Sequence, residues 1–173
     1  MDKFVPDIYQ KSIFSINYEA LKNAGIKCLL FDLDNTIAPV NINEPDKKCK
    51  DLFEDLKDMG FKIIIISNNS KSRVAPFKNI LNVDAAHSSR KPLKTKYLRI
   101  LKIYDFKDTE VAAIGDQLIT DVFGANRMGF TSVFVNQISN NEAFSTKINR
   151  KIEKIIMKKL IKKGLFTIGE YYE

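Results

Sequence analysis

Asp32 and Asp34 stand one residue apart where an apolar run stops, in Cys28-Leu29-Leu30-Phe31-Asp32-Leu33-Asp34-Asn35-Thr36. Two carboxylates so close repel unless a cation lies between them. A divalent ion can take one carboxylate and leave the neighbouring backbone carbonyl or carboxylate for a second role. The same residues also suit a solvated Asx-rich turn after a strand, so the pair alone leaves both readings open. Two further apolar runs end on polar residues, Phe61–Ile66 on Ser67-Asn68-Asn69 and Val111–Ile114 on Gly115-Asp116 with Asp121 beyond, and the short stretch Asp84–Ser88, which could be a strand, leads to Lys91-Pro92. Carboxylates, a hydroxyl, an ammonium and helix N-termini together are what phosphoryl transfer requires, since catalysis there is mostly positioning and charge stabilisation.

These residues converge only if the runs are strands with a common direction. Ile26 to Phe31 is apolar apart from Lys27, the pattern of a strand covered on both faces. A helix is expected to open at Glu44-Pro45 and to run to Gly60 with Cys49, Leu52, Phe53, Leu56 and Met59 at helical spacing. Helices are also expected around Val74–Leu81, after Pro92 with Leu93, Tyr97, Ile100 and Leu101 on one face, and up to Met128-Gly129, followed by a strand at Thr131–Val135. Strands alternating with helix-length crossovers predict a parallel sheet between two helix layers. In such a sheet all strand C-termini share one edge, where α/β proteins bind ligands. Residues 4 to 25 mix aromatics and aliphatics without periodicity, ending in a short helix capped by Asn17 and stopped by Gly25.

The motifs in order, Asp32-Leu33-Asp34-Asn35-Thr36, Ser67-Asn68-Asn69, Lys91-Pro92 and Gly115-Asp116-Gln117-Leu118-Ile119-Thr120-Asp121, closely resemble those of the haloacid dehalogenase superfamily. The run into Gly124-Ala125-Asn126-Arg127 makes the chain most similar to the YqeG family of its subfamily IIIA phosphatases, which resembles phosphatidylglycerophosphate phosphatases. The resemblance covers roughly residues 26 to 136. It implies a three-layer, Rossmann-like α/β fold and a phosphatase. Asp32 would be the nucleophile, forming an aspartyl-phosphate, and Asp34 the general acid and base. Mg²⁺ would be held by the Asp32 carboxylate, the Asp34 backbone carbonyl and the Asp116 carboxylate, with Asp121 behind them. Ser67 and the Asn68 N–H would hold phosphoryl oxygens, and Lys91 would neutralise charge. Few residues separate the motifs, so no cap domain is expected, only loops after Asp34 and Ser67 rimming an open site. An open site suits a substrate with its own bulk, such as a lipid head group or a macromolecule. The alternatives are a phosphatase for a soluble phosphometabolite, nucleic-acid end or phosphoprotein, and a non-catalytic binding module in RNA or ribosome assembly.

The 173 residues fit one domain, with a core at about 26–136 and a basic amphipathic helix at about 145–163. Hydrophobic content of 45% and charged content of 28% match a globular protein without a spanning helix. The N-terminus shows no secretory signal pattern, Cys28 and Cys49 lack ligand spacing, and the lone His87 is given no catalytic role. A cytoplasmic protein is expected. The net charge of +7 is local: residues 147 to 163 hold eight Lys/Arg and only Glu153. Their apolar stripe, Ile148, Ile152, Ile155, Ile156, Leu160 and Ile161, would either pack on the body or lie on an anionic membrane at the inner face. No aromatics interleave with the lysines, which argues against nucleic acid.

Overall fold

The computed structural model describes residues 1–140 and 144–173, the side chains of 144–148 excepted. Along the chain run β1 (Ile8–Gln10), α1 (Tyr18–Asn23), β2 (Cys28–Phe31), α2 (Lys47–Asp58), β3 (Lys62–Ile66) and α3 (Lys71–Leu81). Then come β4 (Asp84–Ala86), α4 (Thr95–Tyr104), β5 (Val111–Gly115), α5 (Phe123–Met128), β6 (Thr131–Val135) and α6 (Phe144–Lys162). The six strands form one sheet in the order β1-β6-β5-β2-β3-β4, every named pair parallel.

The sequence of β2 explains the three layers. Successive side chains of a strand point to opposite faces. Leu29 and Phe31 enter a core with Phe53 and Leu56 of α2 and Val74 and Phe77 of α3. Cys28 and Leu30 enter another with Tyr97 and Ile100 of α4 and Ala125 and Met128 of α5. All four β2 side chains are buried, so the strand has to be apolar throughout. Burial also pushes the Cys28 and Cys49 thiols up to about 12, leaving both as unreactive free cysteines.

Several boundaries differ from the sequence expectations. Helix α2 starts after Asp46, whose carboxylate accepts a hydrogen bond from the Cys49 N–H at 2.7 Å, rather than at Glu44-Pro45. Pro92 does not open α4, which begins at Thr95. The chain after β5 passes through a π-helical turn, Leu118–Val122, before α5. Strand β1, in the stretch that carried no periodicity, adds a sixth strand beside β6, and Tyr172 bridges antiparallel to Tyr9 on its outer edge.

Helix α6 neither packs by its whole apolar stripe nor leaves it free. Leu160 is fully buried against Tyr9, Phe134 and Phe166, with Ile156 and Met157 half-buried beside it. Ile152, Ile155 and Ile161 face solvent among Lys151, Lys154, Lys158 and Lys162. The side chains of Lys147 and Ile148 lie outside the described residues. Among the described residues no helix is long and apolar enough to cross a membrane.

Candidate active site

The catalytic candidates sit at the C-terminal ends of β2, β3 and β5 and on the loop after β4. Strand β2 lies between β5 and β3, with Phe31 in register with Ile114 and Ile65. The ladder continues one step further, the Asp32 N–H donating to the Ile114 carbonyl at 2.9 Å. Gly115 is therefore opposite Asp32, and Asp116 follows one residue beyond at the same edge. Asn35 then takes a left-handed conformation (φ 62°), which Asn tolerates, and its N–H donates to the Ala38 carbonyl at 2.7 Å. The resulting tight loop turns Asp34 to the rim.

The carboxylates of Asp32, Asp116 and Asp121 are all buried, with ligand oxygens within 4.8 Å of one another. Asp121 comes back to the cluster because Gly115 has no side chain: a Cβ there would overlap the Asp121 carboxylate. Three buried acids need compensating charge. Lys91 supplies part, its Nζ donating at 2.6 Å to both Asp32 and Asp121. Burial works against the Lys91 ammonium, but Asp121 and Asp32 outweigh it, so its pKa is raised and it stays protonated. Asn68 fixes the backbone that carries it: the Lys91 N–H donates to Asn68 Oδ1 at 2.6 Å, and Asn68 Nδ2 donates to the Lys91 carbonyl at 3.1 Å. The remaining charge comes from Arg150 of α6, whose guanidinium contacts the Asp116 carboxylate and donates to the Asp116 carbonyl at 2.7 Å.

Hard oxygen donors packed this closely fit a divalent cation, with Asp32 and Asp116 as carboxylate ligands. The Asp34 side chain stands outside the cluster. Arg73 grips it with Nε at 3.0 Å and Nη2 at 2.8 Å, both on Oδ1, and Asn69 Nδ2 donates to Oδ2 at 2.5 Å. Ser67 is buried at the end of β3, its Oγ accepting from the Asn69 N–H at 3.1 Å. Every expected site residue is therefore at this edge. Arg73, Arg150 and Glu153 were not anticipated; the only sequence signal was a solitary acid three residues after an arginine in a basic run.

Asp32, Asp34, Ser67, Asn68, Lys91 and Asn149 line a cavity of about 150 Å³. The open rim expected from loops alone is corrected here: the acids are buried, and α6 contributes Asn149 and Arg150 beside them. Larger hollows exist elsewhere; one of about 570 Å³ lies by Lys57, Lys62 and Lys78 at the opposite end of the sheet, without a buried acid cluster.

Without a metal, burial pushes the Asp32 carboxyl up to about 7 and that of Asp116 up to about 8, each against the pull of its cation, Lys91 or Arg150. The folded chain then keeps protons that the unfolded chain releases near pH 4, so its stability falls as pH rises above about 4, and the loss is complete once both groups have ionised, near 8. The metal-free protein is expected to melt roughly 5 °C lower at pH 8 than at pH 5.5, and a divalent ion should narrow the gap by favouring ionised acids. Equal melting temperatures across that range would contradict the burial assignment.

A parallel sheet with acids at the ends of two adjacent strands, a lysine opposite and a hydroxyl beside them is an arrangement suited to phosphoryl transfer. Comparison with known proteins narrows this. Residues 1–138 match the family model described as mitochondrial PGP phosphatase. The chain is 35% identical over 161 residues to the probable phosphatase YqeG of Bacillus subtilis (strain 168), covering 93% of this chain and 94% of that one. It is 27% identical to phosphatidylglycerophosphate phosphatase 1, chloroplastic/mitochondrial, of Arabidopsis thaliana, over 93% of this chain but only 49% of that one, so it spans about half of that relative. Among solved structures, the cobalt-bound deoxy-D-mannose-octulosonate 8-phosphate phosphatase of Haemophilus influenzae superposes with a TM-score of 0.54 at 12% identity, over 79% of this chain and 90% of that one, a likeness of fold alone. The chain belongs to the PGP phosphatase family.

Proposed function

We propose that this phosphatase is a Mg²⁺-dependent phosphomonoesterase that works through an aspartyl-phosphate on Asp32 and acts on a phosphorylated lipid head group, with phosphatidylglycerophosphate as the first candidate. The observation that carries the reading is the cavity. At about 150 Å³ it is smaller than the roughly 300 Å³ at which sites enclosing a whole small molecule begin, yet it reaches Asp32, Ser67 and Lys91. A phosphoryl group enters such a space while the rest of the substrate stays outside. The solvent face of α6, with Ile152 and Ile155 between lysines, suits the surface of an anionic membrane. The relative from Arabidopsis is named for the same lipid substrate.

In this reading an Asp32 carboxylate oxygen attacks phosphorus as the bond to the leaving alcohol breaks, and Asp34 gives that alcohol its proton. Asp34 then takes a proton from water, which attacks phosphorus, releases phosphate and restores Asp32. Ser67 Oγ and the Asn68 N–H hold the phosphoryl oxygens, and Lys91 offsets their charge. Asp32, Asp116 and the Asp34 carbonyl would hold Mg²⁺, which supplies charge neutralisation when bound, and Asp121 keeps Lys91 in place.

The test compares two substrates on two proteins. Replacing Lys154, Lys158, Lys159 and Lys162 together by Gln should weaken sedimentation with anionic vesicles and slow hydrolysis of phosphatidylglycerophosphate in them, at ~1 kcal/mol of binding per lysine near the surface. Turnover of a water-soluble aryl phosphate should stay at the parental rate. Equal vesicle binding by both proteins would reduce the lysines to a solvated face. A parent that ignores the lipid and hydrolyses soluble phosphoesters would overturn the substrate reading.

A further inference from the structure

We propose that Arg150 is a resident counter-ion of the metal site, which a divalent cation must displace from Asp116. The inference rests on the reading of Asp116 as a metal ligand and goes beyond it, to a residue on a different element.

Asp116 has both carboxylate oxygens engaged. Oδ1 accepts from the Thr36 hydroxyl at 3.2 Å, and Oδ2 is held by Arg150 Nη2. A hydroxyl is neutral and rotates away at little cost, whereas a guanidinium brings a full positive charge to the oxygen that a dication would share. Two cations on one buried carboxylate repel strongly, because the surrounding dielectric is low. One of the two cations already in the cluster must give way, and the structure distinguishes them. The Lys91 side chain is 3% exposed and bound at 2.6 Å to both Asp32 and Asp121. Arg150 is 16% exposed and has a second acid on its own helix, Glu153, at 3.0 Å.

Glu153 is what makes the exchange feasible. It is buried, and its other oxygen accepts from the Ile119 N–H at 2.9 Å, so it is anchored to the loop after Asp116 whether or not Arg150 is there. An arginine leaving Asp116 keeps this partner and is not stranded in a dry site. The contacts of Arg150 with Asp116 also tie its turn of α6 to the end of β5, so metal uptake loosens that turn while Glu153 and Leu160 hold the rest. Arg150 thus keeps the metal-free acids balanced and sets a threshold for metal binding.

The experiment is calorimetric titration of Mg²⁺ alone into the metal-free full chain. Arg150→Gln should bind about tenfold more tightly than the parent, the scale of one lost charge-assisted hydrogen bond. Lys102→Gln, the same charge change on the exposed face of α4, should bind like the parent. Asp116→Asn should abolish uptake in both backgrounds. Equal or weaker binding by Arg150→Gln, with Asp116→Asn still abolishing it, overturns the displacement and leaves the metal site standing. Absence of uptake by the parent and by Arg150→Gln alike, or uptake that survives Asp116→Asn, overturns the metal reading and this inference with it. A second measurement needs no variant: amide exchange in the turn of α6 that carries Arg150 should quicken when Mg²⁺ is added to the parent, and unchanged or slower exchange there would count against displacement.

Discussion

Asp32→Asn is expected to lower hydrolysis of an aryl phosphate by roughly 10⁴-fold or more while the protein remains folded. The amide has the shape of the carboxylate, so the N–H ladder to Ile114 survives and Lys91 keeps Asp121 as a partner. At pH 8, where the Asp32 carboxyl is ionised, the change also removes one buried negative charge from a crowded acid cluster, so the melting temperature of the metal-free protein should hold or rise. In the proposed mechanism the change removes the nucleophile together with one carboxylate ligand of the metal. Steady-state turnover and a thermal melt on the same preparation separate the outcomes. A folded Asp32→Asn protein with a tenth or more of the parental rate would end the covalent mechanism.

Asp34→Asn should cost about 10²–10⁴-fold, by a different route. Arg73 and Asn69 hold this side chain from two sides, so the amide should stay where the carboxylate was. Its loss removes the proton donor for the leaving alcohol and the base for water. With an aryl phosphate, whose leaving group needs no proton, the first step should survive better than the second. Acid-quenched protein from a radiolabelled substrate should therefore carry more covalent phosphate than the parent, and Asp32→Asn should carry none. Equal labelling of the parent and Asp34→Asn would remove Asp34 from the hydrolytic step.

The strands that build the site were legible because a parallel strand buried on both faces must be apolar at every position, as Cys28–Phe31 and Lys62–Ile66 nearly are. Where such a run stops on Asp, Ser or Gly-Asp, the sheet edge has been reached. Strand β1 was not legible, since three residues have no period to detect and Ile8–Gln10 is a strand only by pairing with β6, more than a hundred residues away. The face chosen by α6 was equally hidden. Its isoleucines suggested one stripe, but Leu160 against Tyr9 and Arg150 on Asp116 rotate the helix so that Ile152 and Ile155 face out. Such a choice is made by tertiary partners, not by periodicity. Arg73 stayed unnoticed for the same reason: among neighbouring basic residues, nothing local marks the one that reaches Asp34.

The register of β2 against β5 has a consequence for how such an enzyme changes over generations. Phe31 and Ile114 pair in register, so Asp32 lies opposite Gly115 with Asp116 one residue beyond, and their relative placement follows from two hydrogen-bonded strands about 4.8 Å apart rather than from a loop. Backbone geometry is the same whatever the side chains around it. Insertions after Asp34, exchanges along α6 or a new rim can alter what reaches the acids without altering the ruler that sets them apart. What reaches the acids can change while the pairing of the two middle strands that positions them stays the same.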